Sequence, residues 1–131
     1  MDSKFFVPFE TAKQLKEKGY PQAFADWYYH ESADKLAFVH NRYVPERVVT
    51  GKPTELGIWY IAAPTYHEVV DWLEGKGIYI YGYPPMRMID VGNYTSGLYD
   101  SNKEYWTTCK SVYSTREEAL NAAILKALEM I

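Results

Sequence analysis

Three observations predict an α+β fold for this chain. Three separate segments carry helix signals, several runs of β-branched and aromatic residues lie between them, and a length of 131 residues suits one hydrophobic core. We therefore expect a single domain over residues 1–131. Its predicted architecture is a mostly antiparallel sheet of about four to six strands, with the three helices packed on one face.

The strongest helix signal begins after Pro64. Thr65, followed three residues later by Glu68, forms a capping box that satisfies backbone N–H groups of the first turn. Either Gly75 or Gly77 fits the left-handed conformation that ends a helix. Four apolar residues recur at helical spacing and form one stripe, namely Tyr66, Val69, Val70 and Leu73. We expect this stripe to pack against the sheet.

Two further helices are predicted near the ends of the chain. Residues 9–18 form the first, with Ala12 and Leu15 facing inward and Gly19 just beyond its end. The second begins after Ser114 or Thr115, either of which can cap it with a glutamate three residues on. Its apolar face consists of Leu120, Ile124, Ala127, Leu128 and Ile131.

Strands are predicted where β-favouring residues form short runs between turn signals. These runs are residues 24–30, 35–43, 56–62, 78–83, 86–91 and 104–113. The first two form a hairpin, and the glycine-rich or proline-rich stretches 45–53 and 92–102 are predicted loops. The strands before and after the central helix form a right-handed β-α-β crossover if they are parallel, and an antiparallel arrangement with intervening strands is the alternative.

The composition limits the classes of protein that this chain can represent. The net charge of -3, with acidic and basic residues interspersed, argues against the broad positive field that drives sequence-independent nucleic-acid binding. The single cysteine, Cys109, excludes an internal disulfide, and no stretch resembles a signal peptide or a membrane span. We therefore expect a cytoplasmic protein without a membrane anchor.

The most distinctive candidate surface is a row of tyrosines on the strand at residues 78–83. The sequence alternates with period two, so two isoleucines share one face and Tyr79, Tyr81 and Tyr83 share the other. If the helices cover the isoleucine face, the tyrosines meet solvent, a partner or a loop. Aromatic residues make up 17% of the chain and thirteen of them are tyrosines, which suits an interface but equally suits an aromatic sheet core. The loops at 45–53 and 92–102 are the candidates to cover this row.

Other polar side chains give weaker signals. His67 and Asp71 are four residues apart on a helix, and a solvated pair is a more ordinary interpretation than a general base or a metal site. His30 and His40 have no recognisable catalytic partner, and Cys109 is interpreted as a small buried apolar residue. We therefore predict no catalytic residues, no metal and no cofactor, which favours a non-enzymatic protein over an enzyme.

A resemblance is carried by two segments. Residues 62–66 with 70–73, followed by the late helix at 116–120 and 124–128, resemble small uncharacterised proteins of gut anaerobic bacteria and of their prophages. The resemblance spans about half of the chain, and its residues belong to helix caps and apolar faces. It implies a protein of a bacterium, a phage or another mobile element, and it brings no catalytic residues.

Three functional hypotheses follow from these observations. The favoured one is a binding or accessory protein in which Tyr79, Tyr81, Tyr83 and Arg87 contact a protein partner or a second copy of the chain. The first alternative is a small enzyme or ligand-binding protein with a pocket between the sheet and the loops at 45–53 and 92–102, using tyrosine hydroxyls with Asp90 or Arg87. The least favoured is single-stranded nucleic-acid binding by stacked tyrosines, helped by Arg87, Lys103 and Lys110.

Overall fold

A computed structural model describes residues 5–22, 25–32, 35–40, 59–83, 94–108 and 113–131, and only the backbone at 31–32, 35–38, 59, 82 and 83. The chain divides into two compact units. Residues 6–65 form the first, here called the N-terminal unit. Residues 66–131 form the second, the C-terminal unit, to which Phe5 also belongs. Each unit contains its own three-stranded sheet and at least one helix.

The N-terminal unit is built from one helix and an antiparallel sheet. Its elements are α1 (Phe9–Glu17), β1 (Trp27–Ser32), β2 (Lys35–His40) and β3 (Trp59–Ala62). The sheet order is β2-β1-β3, so the hairpin partner and the later strand lie on opposite sides of β1. Helix α1 confirms the prediction for residues 9–18. It packs against β3 with Thr11, Ala12 and Leu15 buried, and Gly19 follows its end with φ of +94°.

Tyr28 is at the centre of a small buried cluster in the N-terminal unit. Its ring is 1% exposed and packs with Ala62, while Tyr20 and Ala25 lie against this pair. The Tyr28 hydroxyl donates a 2.6 Å hydrogen bond to the backbone oxygen of Gln22, whose side-chain Oε1 accepts from the Ala62 amide at 2.9 Å. Burial raises the pKa of Tyr28 above the ordinary tyrosine value.

The N-terminal segment is tied into the same unit by backbone and side-chain hydrogen bonds. Val7 is fully buried, and its amide donates to the backbone oxygen of Pro64 at 3.0 Å. The Tyr29 hydroxyl donates to the Val7 carbonyl at 2.6 Å, and burial raises the pKa of Tyr29. Phe6 pairs with Thr65 in an isolated antiparallel bridge. Both ends of this unit are therefore held side by side.

The C-terminal unit has two helices and a second antiparallel sheet. Its elements are α2 (Tyr66–Glu74), β4 (Ile78–Tyr83), β5 (Thr95–Asp100), β6 (Tyr105–Thr108) and α3 (Arg116–Glu129). The sheet order is β4-β5-β6, and Tyr94 and Tyr113 extend the pairing beyond β5 by one isolated bridge. Helix α2 matches the predicted apolar stripe, with Tyr66, Val69 and Leu73 buried.

Both helices of the C-terminal unit pack on the isoleucine face of its sheet, as predicted. Ile78, Ile80 and Leu98 are buried beneath them. Helix α3 contributes Ala119, Ala123, Ile124, Ala127 and Leu128 to this core. Each large apolar side chain contributes about 1.5 to 3 kcal/mol on burial, before the loss of chain entropy is counted. The opposite face of the sheet is therefore turned away from α2 and α3.

Two turns of the C-terminal unit are joined by hydrogen bonds. Gly77 has φ of +83° and lies between α2 and β4. The Ser101 hydroxyl donates to the Gly77 carbonyl at 2.9 Å, and Asn102 Nδ2 donates to the Lys76 carbonyl at 2.9 Å. Buried Asp100 accepts a bond from the Asn102 amide through Oδ1 at 2.9 Å. The turn after β5 is thus fixed to the turn before β4.

The structure confirms an α+β fold with antiparallel strands and corrects how the strands are arranged. The six described strands form two sheets instead of one, with α1 on one sheet and α2 and α3 on the other. Strands β3 and β4 belong to different sheets, so α2 is not the crossover of a β-α-β unit. Among the helices described, none is long and apolar enough to cross a membrane.

The prediction of a loop at residues 92–102 is wrong, because Thr95–Asp100 is the central strand β5. Its serine and glycine content is typical of turns, but here Gly97 accommodates the ring of Tyr81 from the neighbouring strand. The predicted strand at 86–91 and the predicted loop at 45–53 lie outside the described residues.

Candidate functional site

The strand register brings aromatic side chains from three strands to one face of the C-terminal sheet. Tyr79 of β4 is opposite Tyr99 of β5, which is opposite Trp106 of β6. Tyr81, two residues further along β4, points to the same face and is opposite Gly97. We call the four side chains of Tyr79, Tyr81, Tyr99 and Trp106 the aromatic platform.

Contacts between the rings hold the platform together. The Tyr99 and Trp106 rings are stacked, with centroids 4.4 Å apart and planes at 29°. Tyr79 and Tyr99 have centroids 6.4 Å apart, and Tyr81 and Trp106 have centroids 6.2 Å apart. Aromatic pairs at these separations add about 0.5 to 1.5 kcal/mol each beyond the area that they bury. The sheet therefore positions a continuous aromatic cluster and not four independent rings.

The platform is exposed to solvent at both of its ends, on β4 and on β6. Trp106 is 65% exposed and Tyr79 is 44% exposed, although both are large apolar side chains. Helices α2 and α3 cannot cover them because they pack on the opposite face of this sheet. The four platform residues are tyrosines and a tryptophan, so none of them is an acidic or basic residue type. The surface offers ring edges, hydroxyl groups and the indole N–H as its binding groups.

Strand β6 is exposed on both faces of the sheet. Tyr105 precedes Trp106, so its side chain points to the helix-covered face, where it is 49% exposed. Among the described residues, β6 pairs with β5 alone and lies at the edge of its sheet. The strand consists of Tyr, Trp, Thr and Thr, without the charge or proline that commonly protects an edge.

The structure places two of the four predicted binding residues on the platform. Tyr79 and Tyr81 lie on one face of β4 as predicted, opposite the buried isoleucines. Tyr83 ends β4, but its side chain lies outside the described part of the structure, as does Arg87. Sequence reasoning missed Tyr99 because it assigned that residue to a loop. The alternation of Thr95, Gly97 and Tyr99 is the signal that could have identified a strand.

The remaining polar candidates do not form a recognisable catalytic or metal site. His67 Nε2 and Asp71 Oδ2 are 3.6 Å apart, and the two side chains are 87% and 62% exposed, as expected for a solvated pair. The His30 ring packs against Tyr60, and the His40 ring packs edge-on against Trp27. Within the described ranges, no group of three or more His, Cys, Asp or Glu residues has the arrangement of a metal site.

Two alternative sites lose part of their structural basis. The predicted pocket needed a loop at 92–102, but residues 95–100 lie within the sheet, and Asp90 and the loop at 45–53 lie outside the described residues. For nucleic-acid binding, the Tyr99 and Trp106 rings stack on each other, so one face of each ring is covered and less ring area remains for stacking with bases. Lys103 is exposed in the turn before β6, whereas Arg87, Lys110 and Cys109 are not described.

Comparisons with protein-family models, with curated proteins and with solved structures each find no match. The aromatic platform, with its geometry and chemistry, is therefore the feature that points to a function.

Proposed function

We propose that this chain is a non-enzymatic binding protein and that its aromatic platform contacts a protein partner. The supporting observation is the exposure of Trp106 and Tyr79, at 65% and 44%, on a sheet face that both helices of the C-terminal unit leave uncovered. Isolated exposed apolar residues are common on proteins, but a fixed cluster of exposed rings is typical of an interaction site.

Tyrosine and tryptophan suit recognition of a protein surface for two reasons. Each supplies a large contact area while losing little side-chain freedom, and each also carries a polar group at its rim. On the platform the stacking of Tyr99 on Trp106 has already restricted these rings before a partner arrives. A partner carbonyl can accept from a tyrosine hydroxyl or from the indole N–H of Trp106. Such pre-ordered aromatic residues are frequent at the centres of protein interfaces.

The absence of charge on the platform limits the class of partner. Binding to a phosphate backbone depends on lysine and arginine, and none of the platform residues is cationic. A charged group of the partner that was buried against the platform would lose its water without gaining a counterion, whereas an uncharged protein surface or extended segment has no such cost. These considerations favour a protein over a nucleic acid as the partner.

The cellular setting that we propose is the cytoplasm of a gut anaerobic bacterium, with the chain acting as an accessory protein of the host, a prophage or another mobile element. Its support is the resemblance of the segments that form α2 and α3, together with a single cysteine. The identities of neighbouring genes test this setting. Phage structural or regulatory neighbours would support it, and neighbours of a conserved metabolic operon would contradict it.

A pair of matched variants tests the binding function. Tyr79→Ser combined with Trp106→Ser removes the two most exposed platform rings, while Tyr105→Ser removes a ring of similar exposure from the other face. Each protein is immobilised and exposed to a bacterial extract, and the retained proteins are quantified by mass spectrometry. Circular dichroism first establishes that all three proteins are folded.

The binding function predicts that a defined set of proteins is retained by the wild type and by Tyr105→Ser, and is lost with the platform double variant. Retention of the same set at the same level by all three proteins would contradict it. The single variant Tyr79→Ser completes the comparison, because Tyr79 and Tyr105 are 44% and 49% exposed on opposite faces of the sheet. Reduced retention by Tyr79→Ser but not by Tyr105→Ser separates loss of the platform from a general loss of surface hydrophobicity.

A further inference from the structure

Three rings of the aromatic platform stand on edge above the C-terminal sheet. Tyr99 and Trp106 are opposite each other on neighbouring strands, and their rings stack at 4.4 Å, so the two rings turn their faces toward each other along the row. Tyr79 and Tyr99 are also opposite each other, with ring planes 31° apart. The outward surface therefore consists of ring edges, together with tyrosine hydroxyl groups and the indole N–H of Trp106.

These outward groups are best matched by a partner that supplies hydrogen-bond acceptors. The edge of an aromatic ring carries partial positive charge, an indole N–H is a donor only, and a tyrosine hydroxyl can also donate. Cations bind to ring faces, and one face each of Tyr99 and Trp106 is covered by the other ring. A neutral segment with free carbonyl oxygens is therefore complementary to this surface.

Polyproline II is the regular backbone conformation that leaves carbonyl oxygens free in this way. An α-helix uses its carbonyl groups in internal hydrogen bonds, and an added β-strand binds by its backbone at the edge of a sheet. A polyproline II segment has no internal hydrogen bonds, and its prolines have no N–H group that needs an acceptor.

The repeat of this conformation also matches the width of the platform. Tyr79 on β4 and Trp106 on β6 are separated by two strand spacings, which is about 9.6 Å. Three residues of polyproline II advance the chain by about 9.3 Å and return to the same side of the helix. Residues i and i+3 of a segment that crosses the strands therefore reach both ends of the row.

We infer that the aromatic platform binds a proline-rich segment of its protein partner in the polyproline II conformation. Residues i and i+3 of the segment contact the rings of Tyr79 and Trp106, and its backbone carbonyls accept from the Tyr79 hydroxyl and from the indole N–H of Trp106. This inference rests on the proposed binding function, and it names the kind of partner that the platform recognises.

The exposed area of the platform agrees with a short segment as the partner. From their exposed fractions, Tyr79 and Trp106 together offer roughly 250 Å², whereas a folded partner in a standard interface buries about 800 Å² on each side. A polyproline II segment needs less area because its backbone is largely ordered before binding, so it loses little entropy. We expect a dissociation constant between about 10 μM and about 1 mM.

The probe that tests this inference is decaproline with blocked ends, which adopts polyproline II and carries no charge. A blocked peptide of alternating glycine and serine, of the same length, is the flexible control. Heteronuclear NMR of the full chain measures both, because each of the four tryptophans contributes an indole N–H signal. We expect decaproline to shift the signal of Trp106, assigned from the spectrum of Trp106→Phe, and to leave that of Trp72 on α2 unchanged.

Single variants locate the contact. Tyr79→Ser and Trp106→Ser should each weaken decaproline binding by about fivefold or more, because the segment contacts both ends of the row. Tyr105→Ser is the matched control and should bind as the wild type does, because Tyr105 is 49% exposed on the opposite face. Tyr79→Phe and Trp106→Phe keep an aromatic ring and remove a donor. Each should weaken binding by about three- to tenfold, the effect of one lost hydrogen bond.

Polyproline recognition predicts that decaproline binds, that the glycine-serine peptide does not, and that both serine variants of the platform are weakened. Equal binding of the two peptides would overturn it, and so would decaproline binding that survives either serine variant. Unchanged affinity in both phenylalanine variants would overturn recognition of the carbonyl groups.

A failure of this inference can be distinguished from a failure of the proposed function. Absence of decaproline binding at about 2 mM would overturn polyproline recognition. If proteins from the extract were still retained by the wild type and lost with the platform double variant, the proposed binding function would stand with a different kind of partner. Equal retention by both proteins would contradict the binding function itself.

Discussion

Tyr81 lies directly over the backbone of Gly97. A β carbon at residue 97 would be 2.8 Å from the Tyr81 hydroxyl oxygen, 3.0 Å from its Cε2 and 2.9 Å from the backbone oxygen of Thr107. The tyrosine ring can move, but the Thr107 carbonyl belongs to the neighbouring strand and cannot move without disturbing the sheet. Gly97 therefore sets how closely Tyr81 approaches the sheet.

We predict that Gly97→Ala lowers the free energy of unfolding by about 1 to 3 kcal/mol, the usual cost of inserting a methyl group into a close-packed site. Gly75→Ala is the control. A β carbon at residue 75 would be 3.3 Å from the Trp72 carbonyl oxygen, its nearest neighbour, and the φ angle of Gly75 lies outside the left-handed region. Urea denaturation followed by circular dichroism measures both variants. Equal effects at the two positions would contradict the close approach of Tyr81 and Thr107.

A second prediction concerns Gly77. Gly77→Ala has two costs, a left-handed φ of +83° and a β carbon 2.7 Å from Asn102 Nδ2 and 2.8 Å from Ser101 Oγ. Gly19→Ala has only the first cost, because φ is +94° and no atom lies within 4 Å of the added carbon. The left-handed conformation costs about 1 to 2 kcal/mol for a residue with a β carbon.

Thermal unfolding of the two variants separates these costs. We expect Gly77→Ala to lower the transition temperature of the C-terminal unit by more than Gly19→Ala lowers the transition temperature of the N-terminal unit. The combined variant Gly77→Ala with Asn102→Ala tests the steric part, since removing the amide relieves the closest contact while losing its bond to the Lys76 carbonyl. A smaller effect at Gly77 than at Gly19 would be inconsistent with the hydrogen-bonded turns.

A third prediction concerns alkaline pH. Burial raises the pKa values of Tyr28 and Tyr29 in the folded N-terminal unit above the ordinary value of about 10. The unfolded chain therefore loses these protons before the folded chain does, and the free energy of unfolding falls as the pH rises above about 10. Below that pH the contribution of both hydroxyls is fully present.

The variant Tyr28→Phe isolates one of these groups. We expect it to lower stability near neutral pH by about 1 kcal/mol, because the hydrogen bond to the Gln22 carbonyl is lost, and to reduce the fall in stability above pH 10. Urea denaturation as a function of pH, with tyrosinate absorbance recorded in parallel, measures both effects. An unchanged alkaline slope in Tyr28→Phe would show that this tyrosine does not titrate with unfolding.

A fourth prediction concerns the start of α3. The Thr115 hydroxyl oxygen accepts a 3.1 Å hydrogen bond from the Glu118 amide and caps the helix. Thr115→Ala should lower the free energy of unfolding by about 1 kcal/mol, and Thr115→Ser should restore most of it. Ser114→Ala should cost less, because the Ser114 hydroxyl donates to the exposed side chain of Glu118, at 3.2 Å, and not to a backbone group of the helix end. Equal costs for the two alanine variants would contradict this assignment of the cap.

Local signals predicted the helices well because the groups that define helix ends are close in sequence. Thr115 and Glu118 are three residues apart, and Gly19 follows α1 almost directly, so each can be recognised without knowing the remainder of the fold. The same applies to β4, where the alternation of isoleucine and tyrosine correctly separates the buried face from the open one.

The strand β5 and the division into two units depend on long-range pairing. Residues 95–100 have the composition of a turn, and only the ring of Tyr81 on another strand explains why glycine occupies position 97. Likewise, nothing near Trp106 in sequence indicates that it will stack on Tyr99, because this depends on the register of β5 and β6. Half of the aromatic platform was therefore inaccessible to local reasoning.

The Gln22 side chain has a consequence for aggregation. The Ala62 amide points away from β1, because the Ala63 amide is the one that bonds to the Trp27 carbonyl, and Gln22 Oε1 occupies that outward N–H. An incoming amyloid-like strand could add beside Ala62 only by displacing this amide group, which Tyr28 holds in place through the Gln22 backbone. A glutamine held by a buried tyrosine thus occupies an edge N–H group that an added strand would otherwise use, which is the kind of protection by which proteins discourage edge-to-edge aggregation.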